Sequence, residues 1–208
     1  RHRLPVRVMH WINVAALTIL FMSGLNIFDA HSALYWGKSS YSGKPPLLAI
    51  GATMGMEGDI HGVTRVLGRE FDTTGLLGAS KERDGDMSPR AFPWWLTIPD
   101  GRWLSMARSW HFFFAWLFVL NGLAYLAWSL GSRHLARDLA PDGNDLRSIP
   151  QSIRDHLRFR HPTGEAAKRY NVLQKLTYLA VIFVLLPLVI LMGLAMSPTA
   201  NAVWPGWV

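Results

Sequence analysis

The chain has 208 residues, of which 50% are hydrophobic, and it carries a formal net charge of +7 and no cysteine. The lack of cysteine excludes disulfide bonds, cysteine-ligated zinc and iron–sulfur clusters within this chain. Because the apolar residues form three long blocks, the basic balance indicates membrane topology, and no nucleic-acid partner is expected.

The first predicted element is a spanning helix within residues 1–28. Trp11 to Phe28 contains eighteen uncharged residues, and a helix needs roughly 20 apolar residues to cross a hydrocarbon core about 30 Å thick. The block does not resemble a signal peptide, because it lacks a small-residue cleavage site and has His10 and Asn13 near its start.

Residues 29–106 form a long connection that we expect to be irregular, a folded or docking segment with little regular structure. It contains Lys44-Pro45-Pro46 and the glycine-rich stretch GATMGMEGDIHG, which are typical of turns and loops. The stretch is not a phosphate loop, because the required Lys and Ser/Thr are missing. Four tryptophans suit a membrane surface or a partner surface: Trp36, Trp94, Trp95 and Trp103.

The second spanning helix is predicted over residues 107–131. Ser109 to Ser132 contains twenty-four uncharged residues, and His111 lies at the start of this run. An ionisable side chain is costly inside a bilayer, so His111 is a candidate functional residue.

The second connection, residues 132–171, is basic. Between Gly131 and Asn171 it has eight Lys/Arg and five acidic residues. The stretch RSIPQSIRDHLRFRHP predicts either a basic amphipathic helix on the membrane surface or a solvated loop. The histidines of this connection are expected to be solvated: His134, His156 and His161.

The third spanning helix is predicted over residues 172–197, where Pro187 would kink it. A tail, residues 198–208, follows. Short basic flanks face the cytoplasm, so the N-terminus and the second connection are expected inside. The first connection and the tail are then outside, on the periplasmic face of a bacterial inner membrane.

Two pairs of residues predict two levels across the membrane. His10 and Gly24 share a face of the first helix about 21 Å apart, and His111 and Gly122 share a face of the second about 16 Å apart. Since the helices are antiparallel, each level pairs one imidazole with one glycine. This arrangement suits two stacked haems ligated by histidine. Interfacial histidines with glycines that pack helix against helix are the alternative.

Two motifs carry a family resemblance. RVMHWINVAALTILFMSGL (7–25) and KRYNVLQKLTYLAVIFVLLPLVILMGLAMSP (168–198), together with WHFFFAW in the second helix, resemble the prokaryotic di-haem cytochrome b family. This family provides membrane subunits of nickel–iron hydrogenase, formate dehydrogenase and thiosulfate reductase, and the resemblance is closest to the thiosulfate-reductase type.

The resemblance implies an all-α transmembrane bundle of four helices, of which three are in this sequence. It implies that His10 ligates an inner haem b and His111 an outer one. The opposite ligands would come from the fourth helix, and no histidine pair about fourteen residues apart lies in an apolar run of this chain.

Asn171 and Gln174 stand at the start of the third helix. In the family this motif lines a quinone pocket beside the inner haem, where amides hydrogen-bond a quinone carbonyl. Helix capping and interfacial anchoring are the alternative.

The resemblance therefore implies an electron-transfer subunit rather than a stand-alone enzyme. Electrons would pass between the quinone pool and a periplasmic oxidoreductase, of molybdopterin or similar type, through two haems. A proton-relaying transporter fragment and a cofactor-free membrane anchor or assembly protein are the alternatives. The three helices contain no acidic residue within their apolar runs, which disfavours the transporter.

Overall fold

Three helices of the computed structural model are long and apolar enough to cross a membrane: α1 (Leu4–Asp29), α2 (Leu104–Gly131) and the third spanning helix (Val172–Ala195). At about 1.5 Å per residue, each exceeds a hydrocarbon core about 30 Å thick. The structure describes residues 4–36, 44–158, 170–196 and 202–203. The prediction of a mainly helical membrane protein with three spanning helices is confirmed.

The chain divides into two compact units, one formed by Arg7–Asn121 and the other by Arg1–Val6 with Gly122–Val208. The first unit contains most of α1, the first connection and the start of α2. The second contains the rest of α2, the described part of the second connection and the third spanning helix.

The described part of the first connection contains six short strands, whereas the sequence predicted little regular structure. Four of them form an antiparallel sheet in chain order: β1 (Ala33–Leu34), β2 (Leu48–Met54), β3 (Ile60–Val66) and β4 (Arg69–Asp72). A second sheet pairs β5 (Ala79–Lys81) with β6 (Met87–Pro89).

The glycines that argued for a loop instead allow close packing of this sheet. A Cβ on Gly62 of β3 would collide with the Leu77 carbonyl, and one on Gly78 would collide with the Gly51 carbonyl of β2. Gly78 also has a φ of +79°, a conformation that favours glycine. The two ends of the glycine-rich stretch therefore lie in β2 and β3, and residues 55–59 form the turn between them.

A buried arginine holds the end of the first connection together. Arg90 is 3% exposed and its guanidinium donates to Glu82 Oε2 at 2.8 Å, to the Phe92 carbonyl at 2.6 Å, to Thr97 Oγ1 at 3.0 Å and to the Asp100 carbonyl at 2.8 Å. One side chain thus joins the segment before β6 to the segment before α2.

The same connection is bonded to the end of α1. Asn26 Nδ2 donates to the carbonyls of Pro99 and Gly101 at 2.7 and 2.9 Å, and Asp29 Oδ1 accepts from the Ala91 amide. These bonds hold the strand-containing segment against the last turn of the first spanning helix.

The third spanning helix is not regular along its length. α-Helical turns over Val172–Ala180 and Leu186–Ala195 enclose a π-helical turn over Val181–Leu185. Pro187 follows directly and has no N–H to donate to the preceding turn. The distortion predicted at this proline is thus present as a widened turn on its N-terminal side.

The second connection begins with a π-helical turn (Leu135–Leu139) and continues as α3 (Gly143–Leu157). A capping box formed by Asp142 and Asp145 starts α3. Lys175 Nζ, in the first turn of the third spanning helix, donates to Asp145 Oδ2 at 2.6 Å. The bond to Lys175 is the main reason that the pKa of Asp145 is lowered.

Replacing Arg90 with Met should loosen the end of the first connection. The change leaves the Glu82 carboxylate and several acceptors without their buried donor, which costs about 3 to 5 kcal/mol for a broken buried pair. Hydrogen exchange of residues 79–101 in the purified protein should rise sharply. The matched control is Arg65→Met, which removes an exposed ion pair with Glu70 and should cost less than about 1 kcal/mol. Equal effects of the two variants would contradict the structural role of Arg90.

Candidate functional site

His111 lies half-buried against α1 in the first unit. Its Nδ1 is 3.0 Å from Ser23 Oγ, and Ser23 is fully buried. The Ser23 hydroxyl also lies 2.7 Å from the Ile19 carbonyl and 3.2 Å from the Leu20 carbonyl, to which it can only donate. The imidazole therefore faces a serine hydroxyl whose proton is already donated to a backbone carbonyl.

This arrangement selects one tautomer of His111. Because the Ser23 hydroxyl donates to the backbone, its oxygen is left to accept, and the hydrogen bond requires a proton on Nδ1 of the imidazole. Nε2 then carries the lone pair. A neutral imidazole whose other nitrogen donates to a fixed acceptor is the form that ligates iron in proteins.

The structure brings Gly24 and His111 together. A Cβ built on Gly24 would lie 3.5 Å from His111 Cε1 and 3.8 Å from Nδ1. This is ordinary van der Waals contact, so alanine would just fit, but a longer side chain would displace the ring. The small residue at position 24 thus lets the imidazole lie against α1.

His10 is placed differently. Its side chain is exposed and meets the Trp11 ring edge-on at 5.7 Å between centroids. The residues on either side of it in α1 bind α2: Asn121 Nδ2 donates to the Met9 carbonyl at 2.8 Å and to Asn13 Oδ1 at 2.7 Å. The two helices are therefore joined at the level of His10 as well as at the level of His111.

Gly122, the fourth predicted site residue, begins the second unit. A Cβ built on it would meet no atom of the described chain within 4 Å. Contacts among the described residues therefore do not require a glycine at this position. The open space beside it is compatible with a bulky group.

The residues present fit a haem at the level of His111. The imidazole has its Nδ1 bonded and its Nε2 available, and its fixed orientation meets the requirement for an axial ligand. Over the described ranges, no group of three or more His, Asp or Glu side chains converges to hold a metal ion. His10 is exposed and available, and its helix is fixed beside it by Asn121.

Asn171 and Gln174 cap the third spanning helix. Asn171 Oδ1 accepts from the Leu173 amide at 3.3 Å, and Gln174 Oε1 accepts from the Asn171 amide at 3.1 Å. The two side chains form a capping box. Capping uses the amide oxygens, so each NH2 group still offers donors to a ligand carbonyl.

His134 was expected to be solvated, and this prediction is wrong. It is 5% exposed, its Nδ1 is 2.6 Å from Asp138 Oδ2, and the Trp128 ring packs on it at 5.3 Å between centroids. Position 138 lies four residues after position 134, a spacing at which side chains on one helical turn meet. Of the other two histidines, His156 is exposed and donates to the Ser152 carbonyl, while His161 lies outside the described residues.

Sequence reasoning also missed the small and polar residues that are buried on α1 and α2. Ala16, Ser23 and Asn26 are buried on α1, and Asn121 is buried on α2. Small and polar residues at helical spacing in an apolar run are typical of a packed face in a membrane helix. That helical spacing was the sequence signal that could have identified the packed faces.

Comparison with known proteins shows which family this chain belongs to. One curated relative, from Azospira oryzae, is provisionally named protein-methionine-sulfoxide reductase subunit YedZ1 and is 26% identical over 174 residues. The match covers 84% of this chain and 58% of the relative, so the chain spans less than two thirds of that protein's length. No solved structure matches the chain.

The family model described as prokaryotic cytochrome b561 matches residues 1–208. The match agrees with three apolar helices and with a histidine whose ring is held by a hydrogen bond inside one of them. The chain belongs to the prokaryotic cytochrome b561 family of membrane haem proteins.

Proposed function

We propose that this chain is a b-type cytochrome subunit that passes electrons between the quinone pool and a periplasmic oxidoreductase through two haems. It would lie in the bacterial inner membrane with its N-terminus in the cytoplasm. The observation that carries the proposal is the His111–Ser23 hydrogen bond, which leaves a fixed Nε2 lone pair within a membrane helix.

The two candidate ligands lie at well-separated levels. His111 contacts Ser23, which is thirteen residues after His10 on α1, or about 20 Å along the helix axis. This leaves room for two cofactors, one at each level, with His10 at the cytoplasmic level and His111 at the periplasmic one. A bound b-type haem supplies one-electron chemistry, and the chain's residues hold its position and tune its potential.

The first connection offers a surface for the redox partner. Three of its tryptophans are well exposed, Trp36 at 86% and Trp95 and Trp103 at 57% each. Exposed aromatic side chains are enriched at protein interfaces and at membrane surfaces. The name of the Azospira relative supports a partner that reduces methionine sulfoxide in proteins. A molybdopterin oxidoreductase is the partner class that the sequence motifs suggest.

We place the quinone at the start of the third spanning helix. The NH2 groups of Asn171 and Gln174 would donate to a quinone carbonyl while their oxygens keep the helix capped. Tyr170 precedes this motif, and burial, followed by the neighbouring Tyr178 and Asp138, raises its pKa.

Quinone reduction takes up protons and quinol oxidation releases them, and the His134–Asp138 pair is suited to carry protons in either direction. Asp138 is 39% exposed at its side chain while His134 is 7% exposed, so the pair leads from solvent into the protein. The effect of Asp138 on Tyr170 indicates that the pair lies near the proposed quinone position.

A reduced-minus-oxidised visible spectrum of the purified full-length protein, with haem counted per chain, tests the proposal as a whole. Two b-type haems that re-oxidise on adding a quinone analogue are expected. A well-folded, colourless preparation made with ample haem would instead favour the anchor or transporter alternatives.

His111→Ala should remove one haem and leave the other, because the two imidazoles lie at different levels. His10→Ala should remove the other haem and leave the His111 haem. Haem quantification and a redox titration of each variant would measure this. Loss of both haems from one single variant that still folds would show that the levels are not separate.

Ser23→Ala should keep both haems but change the potential of one. Without an acceptor for its Nδ1–H, the His111 ring donates less electron density to the iron, and the potential should rise by roughly tens of millivolts. Ser23→Thr keeps the hydroxyl and should behave as wild type. Ser109→Ala removes an exposed hydroxyl that binds only its own helix and is a further control. An unchanged titration in Ser23→Ala would exclude this tuning role.

Asn171→Ser separates capping from quinone binding. Serine caps a helix about as well as asparagine, so the fold and the haems should persist. Loss of the amide donor should slow quinone reduction about tenfold, the effect of one hydrogen bond of about 1.4 kcal/mol. Asn144→Ser, at an exposed amide in α3, is the control. Wild-type quinone kinetics in Asn171→Ser would rule out a direct role for this amide.

A further inference from the structure

α3 presents an apolar stripe that no part of the described chain covers. Leu146, Ile153 and Leu157 are 51%, 45% and 76% exposed, and Pro150 between them is also exposed. At about 100° per residue these four positions fall within a narrow sector of the helix surface. We call this sector, Leu146–Pro150–Ile153–Leu157, the apolar stripe.

Another face of α3 is already occupied by protein. Asp145 and Ile149 are half-buried and Ser152 is 9% exposed, and all three point about 70 to 130° away from the middle of the apolar stripe. This face includes the salt bridge from Asp145 to Lys175. The apolar stripe is therefore a separate face of α3 and is not the border of the face that packs on protein.

Three arginines border the apolar stripe on its other side. Arg147, Arg154 and Arg158 are exposed, and they fall about 70 to 110° from the middle of the stripe. Acidic residues are absent from this border, since Asp142 and Asp145 lie towards the packed face and Asp155 lies on the far side of the helix. An apolar stripe with arginines along one border complements a bilayer surface, where an apolar acyl-chain region lies beneath anionic headgroups.

The Lys175–Asp145 salt bridge sets the depth of α3. Lys175 belongs to the first turn of the third spanning helix, where its apolar run begins. The start of a spanning helix lies in the headgroup layer of the bilayer. Because Asp145 is in the first turn of α3, the salt bridge holds the beginning of α3 in that same layer.

We propose that α3 is an interfacial helix that binds anionic phospholipids, with the apolar stripe among the acyl-chain ends and Arg147, Arg154 and Arg158 on the headgroup phosphates. The occupant of the stripe is the lipid of the same membrane that the spanning helices cross. α3 is stabilised by its own capping box, so its surface is formed before lipid binds. The proposal does not depend on the electron-transfer reaction.

The chain has no cysteine, so single cysteines can be spin-labelled without removing others. Labels would be placed at Ile153 and Leu157 on the stripe and at Gln151, an exposed position about 130° from the middle of the stripe. The full chain would be reconstituted into vesicles of phosphatidylcholine with phosphatidylglycerol. Collision rates with oxygen, which concentrates in lipid, and with a water-soluble nickel complex report the surroundings of each label.

Labels on the stripe should collide more with oxygen and less with the nickel complex than the Gln151 label. Equal, water-like values at all three positions would overturn the proposal. Low collision rates with both reagents at Ile153 and Leu157 would also overturn it, because they would mean that protein covers the stripe.

The arginines are tested by lipid preference. The triple variant Arg147→Gln, Arg154→Gln, Arg158→Gln should lose the preference of the chain for spin-labelled phosphatidylglycerol over phosphatidylcholine, by roughly fivefold for each arginine. The control triple variant has the same charge change at exposed positions in the strand-containing segment: Arg65→Gln, Arg69→Gln and Lys81→Gln. Retained preference in the α3 variant, or equal loss in the control, would contradict binding at this helix. An unchanged haem spectrum or elution profile shows that each variant is folded.

Discussion

The structure depends on the requirement that a polar group within a membrane helix find its partner inside the protein. Hydrocarbon offers no hydrogen bonds, so a buried donor or acceptor without a partner costs free energy. In the first unit this requirement is met by bonds between α1 and α2, from His111 to Ser23 and from Asn121 to Met9 and Asn13. The same bonds fix the His111 ring and hold the part of α1 that carries His10.

The strand-containing segment continues this pattern beyond the end of α1. Asn26 and Asp29 bind the backbone of residues 91–101, and Arg90 donates hydrogen bonds to carbonyls of that same stretch. The last turn of α1 is therefore held from outside as well as from α2. Ser23 lies one turn before Asn26, so the segment also supports the position of the serine that orients His111.

The sequence predicts the parts of this protein that follow from long apolar runs or from the high cost of placing an ionisable side chain in a bilayer. Three apolar runs specify three spanning helices, and the cost of an imidazole at a helix start singles out His111. The strands were not predicted because each is short and their glycines resemble loop residues. Only pairing across the sheet shows that Gly62 and Gly78 are there to admit neighbouring backbone. The burial of His134 depends on its bond to Asp138 and on the Trp128 ring, contacts that the basic composition of this connection did not indicate.

The two proposed haem levels are supported in different ways, and this difference bears on the proposed function. At the level of His111 the support acts on the ring itself, since Ser23 fixes the tautomer and makes Nε2 a stronger donor. At the level of His10 the bonds from Asn121 act on the backbone and on a neighbouring side chain, so they position the helix without altering the imidazole. Two haems in these different ligand environments would have different potentials. Such a difference would set how an electron is shared between the two levels, while the potentials of the two redox partners would set the net direction of electron flow.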